Sequence, residues 1–119
     1  MTLTTLVTGT RAPARETAIA AALDPGVDTA IILEGLPHGS SPLDGIPDSH
    51  PVHIARIAPG CFCCTGNLTM RVTLDRMLRR APLRLYIALA SNTHLDRLRG
   101  FLTRPPYDKL LVLTKDLHA

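Results

Sequence analysis

Aromatic side chains are scarce in this chain, which has no tryptophan, two tyrosines and two phenylalanines among 119 residues. Rings so few and so dispersed offer no platform for unstacked bases, which argues against a single-strand nucleic-acid binder. Long apolar runs are also missing, and none approaches the roughly 18 residues a membrane-spanning helix needs. The start, Met1-Thr2-Leu3-Thr4-Thr5-Leu6-Val7-Thr8-Gly9, has no basic opening and too short an apolar stretch for a secretory signal; it reads as a strand. A cytoplasmic protein with no membrane partner is therefore expected. Lysine is nearly absent: of 13 basic residues only Lys109 and Lys115 are lysine, and the net charge is +3. Arg71, Arg76, Arg79, Arg80 and Arg84 form a basic run that is read as a solvated face, with no specific nucleic-acid partner. Neither an internal repeat nor a low-complexity tract is present. The length fits one domain with a single core.

Cysteine is rare as well, but its placement is informative. All 3 cysteines fall inside Gly60-Cys61-Phe62-Cys63-Cys64-Thr65-Gly66-Asn67-Leu68. Thiols serving only as small hydrophobes would be scattered through the core. The odd count and the adjacent pair argue against a disulfide framework, because a vicinal bridge is strained and one thiol would stay unpaired. Cys61 and Cys63 can reach one side of an extended or turning backbone, and Cys64 can swing in as a third thiolate. Three thiolates suit zinc or another soft transition ion and leave one position for water, a histidine or a partner. An inert turn and a redox sensor are the competing readings. His38, His50 and His53 are the candidate extra ligands, His53 being closest in sequence; an exposed polar loop is the plainer account of them.

Taken in order, Leu3 to Thr8 reads as a strand closed by Gly9, and Ala14 to Leu23 as a helix. Asp28 to Glu34 reads as a second, buried strand. Gly35 to Pro51 is a Gly-, Pro- and Ser-rich loop, and Val52 to Ile57 a third strand. After the cysteines, Thr65 or Asn67 can cap a helix running to about Arg80. Its apolar stripe is Met70, Leu74, Met77, Leu78 and Ala81, with the methionines as core filler. Leu83 to Ala90 is a fourth strand. Thr93 to Thr103 is a helix with Leu95, Leu98, Phe101 and Leu102 inward, stopped by Arg104-Pro105-Pro106, and Lys109 to Thr114 is the last strand. This alternation predicts a three-layer α/β fold with a mostly parallel sheet of about five strands, Rossmann-like in build. The thiols then sit at a strand-to-helix junction on the carboxyl edge of the sheet, where ligand sites collect.

The stretch Ala58-Pro59-Gly60-Cys61-Phe62-Cys63-Cys64-Thr65-Gly66-Asn67-Leu68, with Arg71-Val72-Thr73-Leu74 and Met77-Leu78-Arg79 after it, resembles the CobW-type family of P-loop GTPases and metal chaperones. The resemblance implies a P-loop NTPase-like fold, with residues 1–119 forming a shortened nucleotide-binding-like domain. It implies Cys61, Cys63 and Cys64 as metal ligands, and GTP as the agent that governs metal delivery to a client protein. The family's phosphate loop would fall on Gly9-Thr10-Arg11-Ala12-Pro13-Ala14-Arg15-Glu16-Thr17, which makes Gly9, Arg15 and Thr17 the nucleotide-binding candidates.

That loop departs from the family pattern at physically costly places. Pro13 has no N–H to offer a phosphate, Ala14 stands where glycine permits close approach, and Arg15 replaces a compact lysine. Glu16 replaces the magnesium-holding hydroxyl, and its carboxylate is read as a partner for the helix dipole. Glu34-Gly35-Leu36-Pro37 poorly matches the family's acidic and glycine motif. Ala88 and Ser91 stand where an acid and a glycine are usual, and Thr114-Lys115-Asp116-Leu117 only partly matches a guanine-specificity sequence. The expectation is a metal-binding protein that does not hydrolyse GTP. A weak GTP-binding metallochaperone is the alternative enzyme reading, and a module that tunes a full-length family member is the third.

Overall fold

The structure is a computed structural model that describes residues 1–35, 42–46, 51–57, 68–90 and 95–119. Six strands and three helices appear among them: β1 Thr2–Thr8, α1 Ala12–Ala22, β2 Thr29–Glu34, β3 Val52–Ile57, α2 Leu68–Arg79, β4 Arg84–Ala88, α3 Leu95–Leu102, β5 Leu111–Leu113 and β6 Leu117–His118. Short 3-10 turns at Pro42–Gly45 and Tyr107–Lys109 complete the set. The strands lie in one sheet, ordered β3-β2-β4-β1-β5, with β6 also on β1, and every pairing is parallel. This is the expected Rossmann-like α/β architecture.

Alternation along each strand sorts the core into two layers. Leu6, Ala30, Ile32, Leu85 and Ile87 face α2 and α3, which supply Met70, Leu74, Met77, Leu78, Leu98 and Leu102. Val7, Ile31, Leu33, Tyr86 and Ala88 face the other way and meet Ile19 of α1 and Leu43 of the first 3-10 turn. All six residues of β2 are buried, as a strand covered on both faces requires. Each fully buried Leu or Ile contributes about 1.5–3 kcal/mol.

The chain winds from β1 through β2 to β3 at one edge, then returns to β4 between β2 and β1 and continues beyond β1 on β5 and β6. The helix after β1 covers one face and the helix after β4 covers the other. Neighbouring strands whose following helices leave to opposite faces open a crevice at their carboxyl ends. In this sheet that switch point lies between β1 and β4.

Some boundaries differ from the sequence reading. The α2 stripe ends at Leu78, and Ala81 is exposed with φ of 51°. The amides of Arg80 and Ala81 donate to Met77 and Leu78 three residues back, and Pro82 prevents continuation. Residues 107–109 form a 3-10 turn where the last strand was expected to begin, so β5 is only three residues long. It pairs with Thr2–Thr4, while β6 pairs with Val7 and Thr8. These two short strands therefore share one side of β1. Between them Thr114 donates its amide to Thr4 O at 2.8 Å and exchanges a hydroxyl hydrogen bond with Thr5 at 2.6 Å. Asp116 is ion-paired with Arg99 of α3.

Tyr107 closes the far end of the α2 and α3 layer. Its ring lies 4.9 Å from that of Phe101 at a 49° tilt, and its hydroxyl donates to Asp75 Oδ1 at 2.8 Å. Burial, then the bond to Asp75, pushes its pKa up from 10.0 to about 12. The neutral phenol is the form favoured by folding, so this contribution is whole below pH 10 and disappears as pH rises toward 12. Urea unfolding midpoints across that window should fall with pH, and Tyr107→Phe should flatten the fall. An unchanged slope in the variant would assign the loss to other groups.

Candidate functional site

Three neighbouring strands, β2, β4 and β1, bring polar groups to the switch point. Gly9 follows β1, and the Arg15 side chain, in the second turn of α1, folds back so that Nη1 donates to Gly9 O at 2.7 Å. The glycine is needed for close approach. A Cβ there would lie 2.9 Å from Ala119 Cβ and 3.3 Å from Arg15 Cγ. The helix opens at Ala12 with Arg11 as an N-cap that makes no side-chain bond, and Pro13 sits in the first turn, where a missing N–H costs little.

Arg15 is only 4% exposed. Burial lowers its pKa, opposed by the negative charges of Glu34 and then Glu16. Glu34, at the end of β2, is 5% exposed and accepts the Ala90 amide on Oε1 at 2.7 Å. The preceding amide, Leu89, donates to Val7 O, which sets Ala90 beside the carboxyl end of β1. Glu16 pairs with Arg56 of β3 at 2.8 Å. The expectation that Glu16 serves the helix dipole is thus revised: it lies beyond the first turn of α1, which carries no acid, and its charge is answered across the sheet.

Of the nucleotide candidates, the fold brings Gly9 and Arg15 together and leaves Thr17 apart. Thr17 is exposed, and its hydroxyl donates to Pro13 O at 2.8 Å on its own helix. Glu34 and Arg56 are the residues that sequence reasoning undervalued. For Glu34 the available signal was a lone acid ending a buried apolar strand.

The metal candidates Cys61, Cys63 and Cys64 lie outside the described residues, as do His38 and His50. Their flanks are described. β3 ends at Ile57, whose carbonyl accepts the Gly35 amide at 2.8 Å, and α2 starts at Leu68. β3 thus ends at the carboxyl edge of the sheet, next to Glu34 and Gly35. His53 is the second residue of β3, 3.9 Å from Asp28. An extended strand separates it from Ile57 by about 13 Å, so closeness in sequence does not bring it to that edge. Among the described residues no group of three His, Cys, Asp or Glu is arranged to hold a metal ion.

The Thr114-Lys115-Asp116-Leu117 stretch is engaged elsewhere, through Thr5 and Arg99. Arg71, Arg76, Arg79, Arg80 and Arg84 are all exposed, and Arg71 lies 6.0 Å from the centre of the Phe101 ring. No described helix is long and apolar enough to cross a membrane. Fold and site together define a parallel Rossmann-like α/β domain with an ionic cluster at its switch point. Comparison with protein-family models, curated proteins and solved structures finds no match.

Proposed function

We propose that this chain is a metal-binding protein of CobW type in which Cys61, Cys63 and Cys64 hold zinc or another divalent transition ion, without GTP hydrolysis. The observation that carries this reading is the clustering of every thiol of the chain between the end of β3 and the start of α2. The strand that precedes the thiols, β3, ends at the carboxyl edge of a parallel sheet, the usual place for ligand sites in this architecture. Binding releases the thiol protons, and transfer to a client protein or a full-length family member proceeds by stepwise replacement of one sulfur by a partner's sulfur or nitrogen.

The switch point supports the nucleotide-independent part of the proposal. A phosphate loop presents free backbone N–H groups and an uncommitted cation. Here the Arg15 guanidinium is hydrogen-bonded to the Gly9 carbonyl and is itself buried.

Cobalt titration of the reduced protein, with and without GTP, tests both parts. The expected result is a saturable thiolate-to-cobalt charge-transfer band whose midpoint GTP does not move. Absence of the band would overturn metal binding, and a GTP-dependent midpoint would restore the weak GTP-binding reading.

A further inference from the structure

We propose that the outer edge of β3 pairs with β3 of a second copy of this chain, antiparallel about a two-fold axis at Ile54, so that the two sheets join. This inference does not involve the thiols and stands or falls apart from them.

The hydrogen-bond phase of β3 points to it first. The strand lies at one end of the sheet and pairs with β2 alone. Their ladder opens where Thr29 donates its amide to Pro51 O at 2.9 Å and closes where Gly35 donates to Ile57 O at 2.8 Å. Alternate residues of a parallel strand bond to the same neighbour, so this phase commits the backbone groups of His53, Ala55 and Ile57 to β2. It turns the N–H and C=O of Val52, Ile54 and Arg56 outward. Among the described residues none takes up these outward groups.

An exposed edge is commonly guarded by a bulge, by an outward-set proline or by a charge aimed across it. β3 has none of these guards. Its register with β2 runs unbroken from Val52 to Ile57. Pro51 belongs by phase to the inward set, because its carbonyl takes the Thr29 amide. Arg56 is held to α1 by its 2.8 Å pair with Glu16. In the middle of the strand Ile54 is 41% exposed.

The spacing of the outward groups selects the occupant. Val52, Ile54 and Arg56 are placed evenly about Ile54, so an antiparallel copy sets Ile54 against Ile54 and Val52 against Arg56. Each opposed pair then exchanges both backbone bonds, and no other antiparallel register of this strand with itself satisfies all three residues. Charge agrees with that register. Arg56 meets Val52 and His53 meets Ala55, so like charges do not face each other, and the two β-branched Ile54 side chains lie directly opposite. Val52 packs in the layer that holds Ile19 of α1, so by alternation the Ile54 pair lies on the α1 side. The contact is isologous and closes at two copies.

Mass and amide exchange, read on the reduced chain in chelator, test this. One strand pair is a small interface, and a dissociation constant on the order of 10–100 µM is expected. Sedimentation equilibrium up to about 1 mM should therefore move from monomer to dimer. Over the same range the amides of Val52, Ile54 and Arg56 should slow severalfold, while those of His53 and Ala55, already bonded to β2, should stay slow throughout. Ile54→Lys and Ile54→Glu should each weaken the dimer by tenfold or more without lowering the thermal midpoint of the monomer. An equimolar mixture of the two should dimerise again, because the axis sets position 54 against itself. A chain that stays monomeric at about 1 mM would overturn the proposal and reassign the edge to a strand of another protein. A dimer whose outward amides exchange as fast as in dilute solution would overturn it as well, as would a mixture that associates no better than either variant alone. The exchange measurement on wild type needs no variant to fold.

Discussion

Replacing Cys63 with serine is expected to weaken zinc binding by roughly tenfold or more and to strip most of the charge-transfer band from the cobalt complex. A serine hydroxyl stays protonated near neutral pH and is a hard, weak ligand where a thiolate is soft and anionic. Loss of groups that merely orient a ligand costs about 10–100-fold in affinity, so loss of a ligand itself should cost no less. Thr17→Ala is the matched control, because Thr17 is exposed and bonded only along its own helix. Its affinity should equal that of wild type. Equal affinities for Cys63→Ser and wild type by competition with a chromophoric chelator would sink the metal proposal.

Leu74→Ala should remove about 2–5 kcal/mol of folding stability, the range for deleting a wholly buried leucine side chain. Leu74 is fully buried between α2 and the sheet, in the layer that also holds Met70, Leu78 and Ile87. For a domain whose whole stability is of the order of 5–15 kcal/mol, that is a large fraction. Val72, two residues earlier on the same helix, is 54% exposed, so Val72→Ala should change stability by about 0.5 kcal/mol or less. Urea midpoints of the two variants measure the contrast directly, and similar midpoints would mean that α2 packs through a different face. The two experiments also separate. Cys63→Ser should lose metal while keeping its unfolding midpoint in chelator, and Leu74→Ala should lose stability while its folded fraction still saturates with cobalt.

The repeated elements of the fold were legible because their signals are local. Val52–Ile57 is legible to the residue, since a short alternating stretch is followed by Ala58-Pro59-Gly60. The two-sided burial of β2 follows from its unbroken apolar stretch ended by one acid. Boundaries set by contacts between distant segments were harder to read. The early end of α2 depends on a left-handed Ala81, a conformation that residue rarely adopts and no local pattern announces. The shortening of the last expected strand to β5 and the addition of β6 after it go with hydrogen bonds from Thr114 to threonines of β1 more than a hundred residues away.

The switch point shows the same divide. Gly9 and Arg15 were singled out from one short stretch, and the fold does join them. Thr17 was grouped with them by sequence proximity, yet two residues along a helix is a rotation of about 200°, which turns it away from Arg15. Arg56 comes from a strand 40 residues further along the chain, and the fold brings its charge to Glu16 of α1. His53 fails for the converse reason. Few residues separate it from the cysteines, but a strand spends each of them on distance.

The open side of β1 is shared by a strand of three residues and a strand of two, with exposed Lys115 between them. Aggregation through sheet edges requires a long, flat, uncharged row of backbone donors and acceptors on which another chain can settle. Here such a row runs for three residues, turns aside at Thr114 to Asp116, and resumes behind a cation. A newcomer strand would have to break register at its third pairing and bring its backbone past a lysine. On this flank, the same interruption that makes the last strand hard to read in the sequence makes it a poor template for a neighbour.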